Sequence, residues 1–599
     1  MLQPTNRLTL IDAMRPPSDY RFDAAMAVTF TLDLRALLAA PAAFALAARH
    51  DTDTDDPQAE PIELLHAIRA HSSRITVFSQ AGEIALPPSR RVFAFLERSV
   101  VPVTAPRGGL VHPKVWVLRY VDPSGEEPPR FRALSATRNL TFDTSWDTVL
   151  RLDSDDGEAG TRVDAIADLF AALCTRSVGR IDPDHSARVA ALCEDLRRVT
   201  FAIPEGVDDL RVHVLGLDQT APPFPATSDR SLVISPFVSD DFFAQVHPAP
   251  ISELVSRPES LDGLKASSLD SVETAYAFDD GSTPDPSGDE EHLAAEDPGR
   301  PLRGVHAKVF VYETGSRAQL FCGSANATGA AFGRNVEILF ELAGSTARLG
   351  IDRLCSGSDD ELGLRALFQT YVRSAPEAAD PGEASLDSLR HEISRMSITG
   401  VVEPSGDEWA VTYETSSLVS TPPGVEAVCW PLAAPGNRRV VVPNQPLTAR
   451  FEVSLETISG FLAFQLEHHD SGLLTQFVVP VELQGVPEHR NSHLLRSLIG
   501  NADRFLRYLL ALLAEDAAGM DLLDAIEDVG RDEPGDKSTA PGGLPVLESM
   551  LRTLRRNPAK LMAVDPLISD LATDGALPPG FSSLWSNLRS VAVAAEGER

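Results

Sequence analysis

Lysine, cysteine and long apolar segments are all scarce in this chain of 599 residues. None of the five cysteines has a C-x-x-C partner, which argues for a reducing compartment and against a disulfide framework or a zinc site. The most apolar early run, ALLAAPAAFALAA, is too short to cross a bilayer and contains a proline, and the N-terminal residues lack a signal-peptide pattern. These absences predict a soluble, cytoplasmic protein without a transmembrane segment. We also expect no cofactor and no bound metal ion.

Basic residues are outnumbered by acidic ones, and the formal net charge is −33. Such a charge opposes binding to phosphate-rich partners, but its distribution is uneven. Residues 270–297 hold ten acidic residues, and 271–299 contain no lysine or arginine. We expect this segment to be either a disordered loop or a lid that lies across a basic cleft and mimics the substrate. Global charge therefore does not identify the substrate.

Two of the five lysines stand two places after a histidine. The stretches LVHPKVWVLRY and GVHAKVFVYE contain His112 with Lys114 and His306 with Lys308. With 14 histidines and five lysines in the chain, chance predicts about 0.1 such triplets. Two triplets in similar apolar contexts therefore indicate a shared function.

The triplets head a longer repeat. ATRNLT and SWDTVLRL follow the first triplet, and GSANAT and NVEILFEL follow the second. Each copy also opens with a strand signal, RITVFSQ in the first and SLVISPF in the second. A duplicated unit of this kind predicts two α/β lobes packed together as a pseudo-dimer. We place the lobes at 1–202 and 203–375, a linker at 376–389, an antiparallel β-rich module at 390–485 and a helical module at 486–599.

The triplets are predicted to lie within strands, where residues i and i+2 project from one face. Each strand would then offer one imidazole and one ammonium group together. The segments that follow add the amides of Asn139 and Asn326 and the hydroxyls of Thr137 and Ser324. Converging in one cleft, these groups would bind a phosphoryl group. One histidine could attack phosphorus while the other transfers protons, with the lysines and asparagines stabilising negative charge.

This pattern resembles the phospholipase D superfamily, whose signature is H-x-K-x4-D followed by G-S/G-x-N. The resemblance covers roughly the first 375 residues. GSANAT matches the family closely and ATRNLT more loosely, while Arg119 and Glu313 stand where the family has an aspartate. In the family an acidic residue after the asparagine segment orients a catalytic histidine, which implies that role for Asp147 and Glu337. The resemblance implies catalytic roles for six residues: His112, Lys114, Asn139, His306, Lys308 and Asn326.

The resemblance also implies a metal-independent phosphodiesterase that acts through a phosphohistidine, with His112 favoured as the nucleophile. SATRNLTFDTSWD looks like segments of phospholipase D domains found beside bacterial helicases and restriction-type defence genes. This likeness implies a nuclease or DNA-end processing enzyme in bacterial defence, with a helicase or another defence component bound through the C-terminal module. Two alternatives stay open: a phospholipase or lipid headgroup transferase, and a phosphate-binding scaffold without turnover.

Overall fold

The described residues form a mixed α/β fold with four β sheets. In this computed structural model they are 10–38, 40, 68–69, 71–142, 146–155, 160–217, 221–247, 249–278, 305–356, 363–375, 381–499, 546–556, 565, 568, 577 and 580–597.

The first sheet has seven strands: β1 (Arg21–Thr29), β2 (Ile75–Gln80), β3 (Val100–Val103), β4 (Val115–Val121), β5 (Arg130–Ala136), β6 (Val149–Asp155) and β7 (Thr200–Phe201). Their order is β3-β2-β1-β4-β5-β6-β7. The helices described in this part of the chain include α1 (Leu10–Met14), α2 (Asp164–Cys174) and α3 (Pro183–Leu196). The helix α3 begins there because the Asp182 side chain caps its first amide groups and Pro183 fixes φ.

The second sheet has eight strands: β8 (Asp209–Leu215), β9 (Arg230–Ile234), β10 (Ile251–Ser256), β11 (Val272–Phe278), β12 (Val309–Thr314), β13 (Arg317–Gly323), β14 (Glu337–Ser345) and β15 (Phe368–Thr370). Their order is β15-β11-β10-β9-β12-β13-β14-β8. Short helices in the described part of this region are α4 (Pro258–Asp262), α5 (Ala266–Leu269), α6 (Gly329–Gly333), α7 (Thr346–Leu349) and α8 (Ile351–Cys355).

Six strands of the first sheet and six of the second follow the same order and the same directions. In each sheet three parallel strands, β3-β2-β1 or β11-β10-β9, continue into three antiparallel ones, β4-β5-β6 or β12-β13-β14. The strand β2 is therefore equivalent to β10, and β1 to β9. The predicted match of RITVFSQ with SLVISPF is wrong by one strand, because buried parallel neighbours have similar apolar sequences.

Alternate residues of β4 and β12 face different cores, since successive strand residues point to opposite sides of a sheet. Val115 and Val117 of β4 and Val309 and Val311 of β12 belong to one apolar core that contains residues of both sheets. The residues between them face a separate core on the outer side of their own sheet. The shared core fixes the two sheets against each other, and both histidine-lysine triplets immediately precede the strands that line it.

Residues 381–499 begin with α9 (Pro381–Ser394) and end with α10 (Arg490–Ile499). Between them lie eight strands: β16 (Thr399–Ser405), β17 (Glu408–Leu418), β18 (Val425–Pro431), β19 (Arg439–Val440), β20 (Pro446–Val453), β21 (Phe461–His468), β22 (Leu473–Pro480) and β23 (Glu482–Gln484). They form the sheets β20-β17-β16-β23 and β19-β18-β21-β22, which share a core. The pairing of β16 with β23 is parallel, unlike the predicted antiparallel module. Among the described residues that follow are α11 (Val546–Arg556) and α12 (Phe581–Gly597).

Two segments predicted to lack structure contain regular elements. The helix α9 overlaps the predicted linker because Leu386, Leu389 and Ile393 form a helical apolar face that packs in the core of the β module. The strand β11 overlaps the acidic segment 270–297 and pairs with β10 and β15. The rest of that segment, from 279 onward, lies outside the described residues, as does the predicted loop or lid. None of the described helices is long and apolar enough to cross a membrane.

Candidate active site

The two triplets lie just before β4 and β12 rather than within these strands as predicted. Each histidine is held by backbone from the other sheet. The amide of His112 donates to the carbonyl of Val336 at 2.9 Å, and the amide of His306 donates to the carbonyl of Trp146 at 2.8 Å. The residues before the two histidines form parallel β bridges with these same partners. The segment after each asparagine therefore fixes the histidine of the opposite sheet.

His112 is oriented by a buried carboxylate. Its Nδ1 lies 2.9 Å from Oε2 of Glu337, and the hydroxyl of Ser324 donates to the same oxygen. The side-chain amide of Asn335 donates to Oε1 of Glu337 at 3.4 Å. Because a carboxylate accepts hydrogen bonds, the imidazole carries its proton on Nδ1 and keeps a lone pair on Nε2.

The surroundings of His306 are different. Its Nδ1 lies 3.3 Å from the carbonyl oxygen of Thr137 and 3.4 Å from Nζ of Lys308. Asp147, the counterpart of Glu337 in the repeat, has a carboxylate oxygen 3.8 Å from Nε of Arg138. The orienting role of Asp147 remains a prediction.

Both lysines of the triplets are buried, with exposed fractions of 3% for Lys114 and 0% for Lys308. Each ammonium group donates to the carbonyl of the histidine two residues earlier, at 2.7 Å and 2.6 Å respectively. Burial and the charge of Lys308 lower the pKa of Lys114 well below its ordinary value, while Glu337 acts in the opposite sense. The charge of Lys308 thus acts on Lys114 across a region that is removed from water, where electrostatic interactions are strong.

The same surroundings favour the neutral form of both imidazoles. Burial is the main cause that lowers the pKa of His112, opposed by Glu337 and reinforced by Lys114 and Lys308. Burial, followed by Lys308 and Lys114, lowers the pKa of His306 to about 2. Both histidines are therefore unprotonated at neutral pH while no anion occupies the site.

The asparagines and the hydroxyl residues of the repeat differ in their hydrogen bonds. The Oδ1 atoms of Asn139 and Asn326 are buried without a hydrogen-bond partner among the described residues. The hydroxyl of Thr137 accepts a hydrogen bond from the amide of Thr148 at 2.8 Å, and the hydroxyl of Ser324 is bonded to the orienting carboxylate. Both residues are buried. Their predicted role in binding or supporting a phosphate group stays a prediction.

Three neighbours of the histidines were not identified from the sequence. Gln80, at the end of β2, accepts from the amide of the residue before His112 at 2.8 Å. Arg257, at the equivalent position beside β10, donates to the carbonyl of the residue before His306 at 3.1 Å. The similarity of VFSQ to LVSR could have revealed this pair if the correct strands had been matched. Phe30, whose ring centroid lies 5.2 Å from that of His112, carries no sequence signal.

The two residues at the family's aspartate positions have structural contacts. Arg119 forms ion pairs with Asp23 and Asp195, both at 2.7 Å, which join β4 to β1 and α3. Glu313 accepts a hydrogen bond from the amide of Ile351 at 2.8 Å and so caps the start of α8. Both residues therefore have structural partners among the described residues.

The site brings together two imidazoles and two ammonium groups. The amides of Asn139 and Asn326 stay predicted members of it. Among the described residues, no group of three or more histidine, cysteine, aspartate or glutamate side chains could hold a metal ion. A tetrahedral anion between the lysines would offset their mutual repulsion and supply acceptors for their remaining protons. The imidazoles could then act on that anion as a nucleophile and as a proton carrier.

Comparisons with known proteins leave the family open. No protein-family model matches the sequence, and the search of curated proteins finds no match. Among solved structures, the chain is similar to the polyphosphate kinase from Porphyromonas gingivalis, with 12% sequence identity and a TM-score of 0.26. The match covers 64% of this chain and 50% of that one, so the chain spans about half the length of the kinase. A likeness this distant leaves the function to be argued from the site itself.

Proposed function

We propose that this chain is a metal-independent phosphodiesterase of the phospholipase D type, in which two lobes of one duplicated fold form a pseudo-dimer around a single active site. One observation carries the proposal. Two buried lysines and two histidines come from equivalent positions of two sheets, and the charge of one lysine lowers the pKa of the other. The shared strand order of the two sheets supports the duplication.

His112 is the proposed nucleophile. Its Nδ1 proton is held by Glu337, so the lone pair of Nε2 is available to attack phosphorus. As the N–P bond forms, the bond from phosphorus to the leaving oxygen breaks, and His306 protonates that oxygen. The carboxylate stabilises the positive charge that develops on the phosphorylated imidazole.

His306 must be protonated to act as this acid, although its pKa is low when the site is empty of anions. A phosphodiester carries a negative charge, and its arrival beside Lys114 and Lys308 would offset their charge and raise the pKa of His306. In the second step the neutral His306 removes a proton from water, hydroxide attacks phosphorus and the N–P bond breaks. The lysines and the amides of Asn139 and Asn326 stabilise the negative oxygens in both steps.

Within this class we propose a nucleic-acid substrate, and hence a nuclease or DNA-end processing enzyme of the cytoplasm. Arg257 donates to the carbonyl next to His306 and extends the positive charge beyond the buried lysines. A polyanion with phosphates on both sides of the cleaved bond would gain from this extension. We further propose that the protein acts in a bacterial defence system and binds a protein partner through its C-terminal module.

The experiment incubates the purified full chain in EDTA with labelled DNA, RNA and phospholipid vesicles. We expect nucleic-acid cleavage that is lost in His306→Ala and retained in His469→Ala, which changes an exposed histidine of the C-terminal module. Activity that requires an added divalent ion would contradict the mechanism. Cleavage of phospholipid alone would favour the lipase alternative, and phosphate binding without turnover would favour the scaffold.

A further inference from the structure

Two phenylalanines are exposed beside the site. Phe142 is 47% exposed and Phe237 is 44% exposed, whereas the other aromatic side chains of the described residues are buried or half-buried. Exposed phenyl rings cost free energy in water. Their confinement to the neighbourhood of the two histidines points to a ligand that covers them.

Phe142 belongs to the segment of the first candidate asparagine. It follows Asn139 by three residues, and the carbonyl of the intervening Leu140 accepts from the amide of Asp33 at 2.9 Å, which fixes the start of this segment. The guanidinium group of Arg35 lies over the Phe142 ring, 5.7 Å from its centroid. One face of the ring is thus paired with a cation close to the site.

Phe237 has the same kind of partner on the second sheet. The guanidinium group of Arg257 lies 5.0 Å from the centroid of its ring and also donates to the carbonyl next to His306. The amide of Ala327, in the GSANAT segment, donates at 2.9 Å to a serine hydroxyl of the segment 235–239 that contains Phe237. Each half of the site therefore carries one exposed phenyl ring with one arginine.

We infer that the substrate is a single-stranded nucleic acid, and that Phe142 and Phe237 are platforms on which the bases flanking the cleaved phosphate stack. This inference rests on the proposed phosphodiesterase function. Proteins that bind single strands combine basic grooves with aromatic side chains that stack on bases, and arginine adds cation–π attraction. The site supplies the phosphate position, and the two phenyl rings with their arginines supply the base positions on either side.

The observations favour this ligand over a duplex or a membrane. The bases of a duplex are stacked on one another and do not offer a free face to a phenyl ring. A membrane-binding surface has a contiguous apolar face, whereas each of these rings is an isolated apolar group beneath a guanidinium. Stacking also explains why both exposed residues are aromatic rather than aliphatic.

The test measures binding of a fluorescent dT 20-mer and of a DNA hairpin duplex by anisotropy, in the His306→Ala background so that strands stay intact. Phe142→Ala and Phe237→Ala should each weaken single-strand binding by about 5- to 150-fold and should lower the ratio of single-strand to duplex affinity. Phe→Tyr should retain binding and Phe→Leu should lose it. Leu418→Ala, at an exposed apolar residue of β17, is the matched control and should change nothing.

Phe→Ala variants that bind the 20-mer as tightly as the parent, or that lose single-strand and duplex binding equally, would overturn the inference. Phe→Leu variants that keep binding to anionic phosphatidylglycerol vesicles, where Phe→Ala variants lose it, would replace it with a membrane role. Hydrolysis of bis(4-nitrophenyl) phosphate by the unmodified chain tests the proposed function separately. A chain that hydrolyses this diester without aromatic-dependent strand binding retains that function and loses the inference. A chain that binds the strand through its phenyl rings but does not hydrolyse the diester loses the proposed function, and the strand is then a ligand rather than a substrate.

Discussion

His112 and His306 stand at equivalent positions before β4 and β12, and each is followed two residues later by a buried lysine. Their hydrogen bonds are not equivalent. The Nδ1 of His112 faces the carboxylate of Glu337, whereas the Nδ1 of His306 faces the carbonyl oxygen of Thr137. A duplicated sequence can therefore supply two imidazoles with different protonation behaviour, because the groups around each ring set its tautomer and its pKa.

These different surroundings suit different roles for the two histidines, one as a nucleophile and one as a proton carrier. A nucleophile needs a fixed tautomer with a free lone pair, which Glu337 provides for His112. A proton carrier needs a pKa that responds to the substrate. After burial, the charges of Lys308 and Lys114 are the largest causes that lower the pKa of His306. Pairs of titratable groups with separated pKa values are the usual means by which one site performs both acid and base steps.

The largest expected effect comes from the histidines themselves. His112→Ala should lower kcat by about 10⁴-fold or more on both DNA and bis(4-nitrophenyl) phosphate, because the nucleophile is lost. His306→Ala should lower kcat on DNA by about 10²- to 10⁴-fold. On the nitrophenyl diester the first step should be spared, because that leaving group departs without a proton, so a burst of about one nitrophenolate per chain should precede slow turnover. If the two variants show the same substrate dependence, the assignment of roles is wrong.

A second comparison separates the two acidic residues of the repeat. Glu337→Gln should lower kcat by about 10³-fold with little change in KM, because an amide can hold the wrong tautomer of His112. Asp147→Asn should have a smaller effect, since its observed contact is with Arg138. Steady-state kinetics of both variants on one substrate decide the point. Equal losses would mean that both histidines are oriented by an acid during the reaction.

The lysines should show activity and stability moving in opposite directions. Lys114→Met should lower kcat by about 10²-fold, because a stabilising charge is lost, but should leave the midpoint of thermal unfolding unchanged or higher, because a buried like-charge repulsion is removed. Inorganic phosphate should raise the midpoint of the parent more than that of the variant. Lys265→Met, at an exposed lysine, is the control. A large loss of stability in Lys114→Met would show that the ammonium has a structural role.

The smallest expected effect is on the pH dependence of stability. The pKa of His306 is about 2 in the folded protein, below its ordinary value of 6.5, so the unfolded chain takes up a proton here as the pH falls and the folded chain does not. The contribution to stability is complete above pH 6.5 and is lost progressively towards the folded pKa. Without phosphate, the unfolding midpoint of the parent should fall between pH 7 and pH 4.5 by roughly 2 to 4 °C more than that of His306→Gln. Parallel curves would contradict the burial of a neutral imidazole.

The sequence predicted that the two triplets would share one candidate site, because the repeat doubled a signal that a single triplet would not have carried. His112, Lys114, His306 and Lys308 do meet, and the segment of each asparagine lies against the opposite half. The sequence analysis expected each histidine and lysine to share one face of a strand. That reason was wrong, since both triplets precede the strands. Proximity arises from the shared core and from β bridges between the two halves.

The asymmetry of the site was beyond sequence comparison. Asp147 and Glu337 align in the repeat, but which imidazole a carboxylate reaches depends on the packing of one sheet against the other. Likewise, Phe142 and Phe237 are ordinary apolar residues in the sequence, and only the fold shows that they are exposed beside the site. Long-range packing, rather than local pattern, determines both features.

The most direct test of the shared site is to trap its intermediate. Labelled bis(4-nitrophenyl) phosphate, whose leaving group needs no proton, is mixed with the His306→Ala variant in EDTA and quenched within milliseconds to seconds, and the protein is digested under conditions that preserve phosphoramidates. We predict a labelled phosphoryl group on Nε2 of His112, at up to one equivalent per chain, and none in the His112→Ala variant. Label on neither histidine, or an adduct that forms only when a divalent ion is added, would contradict the proposed mechanism.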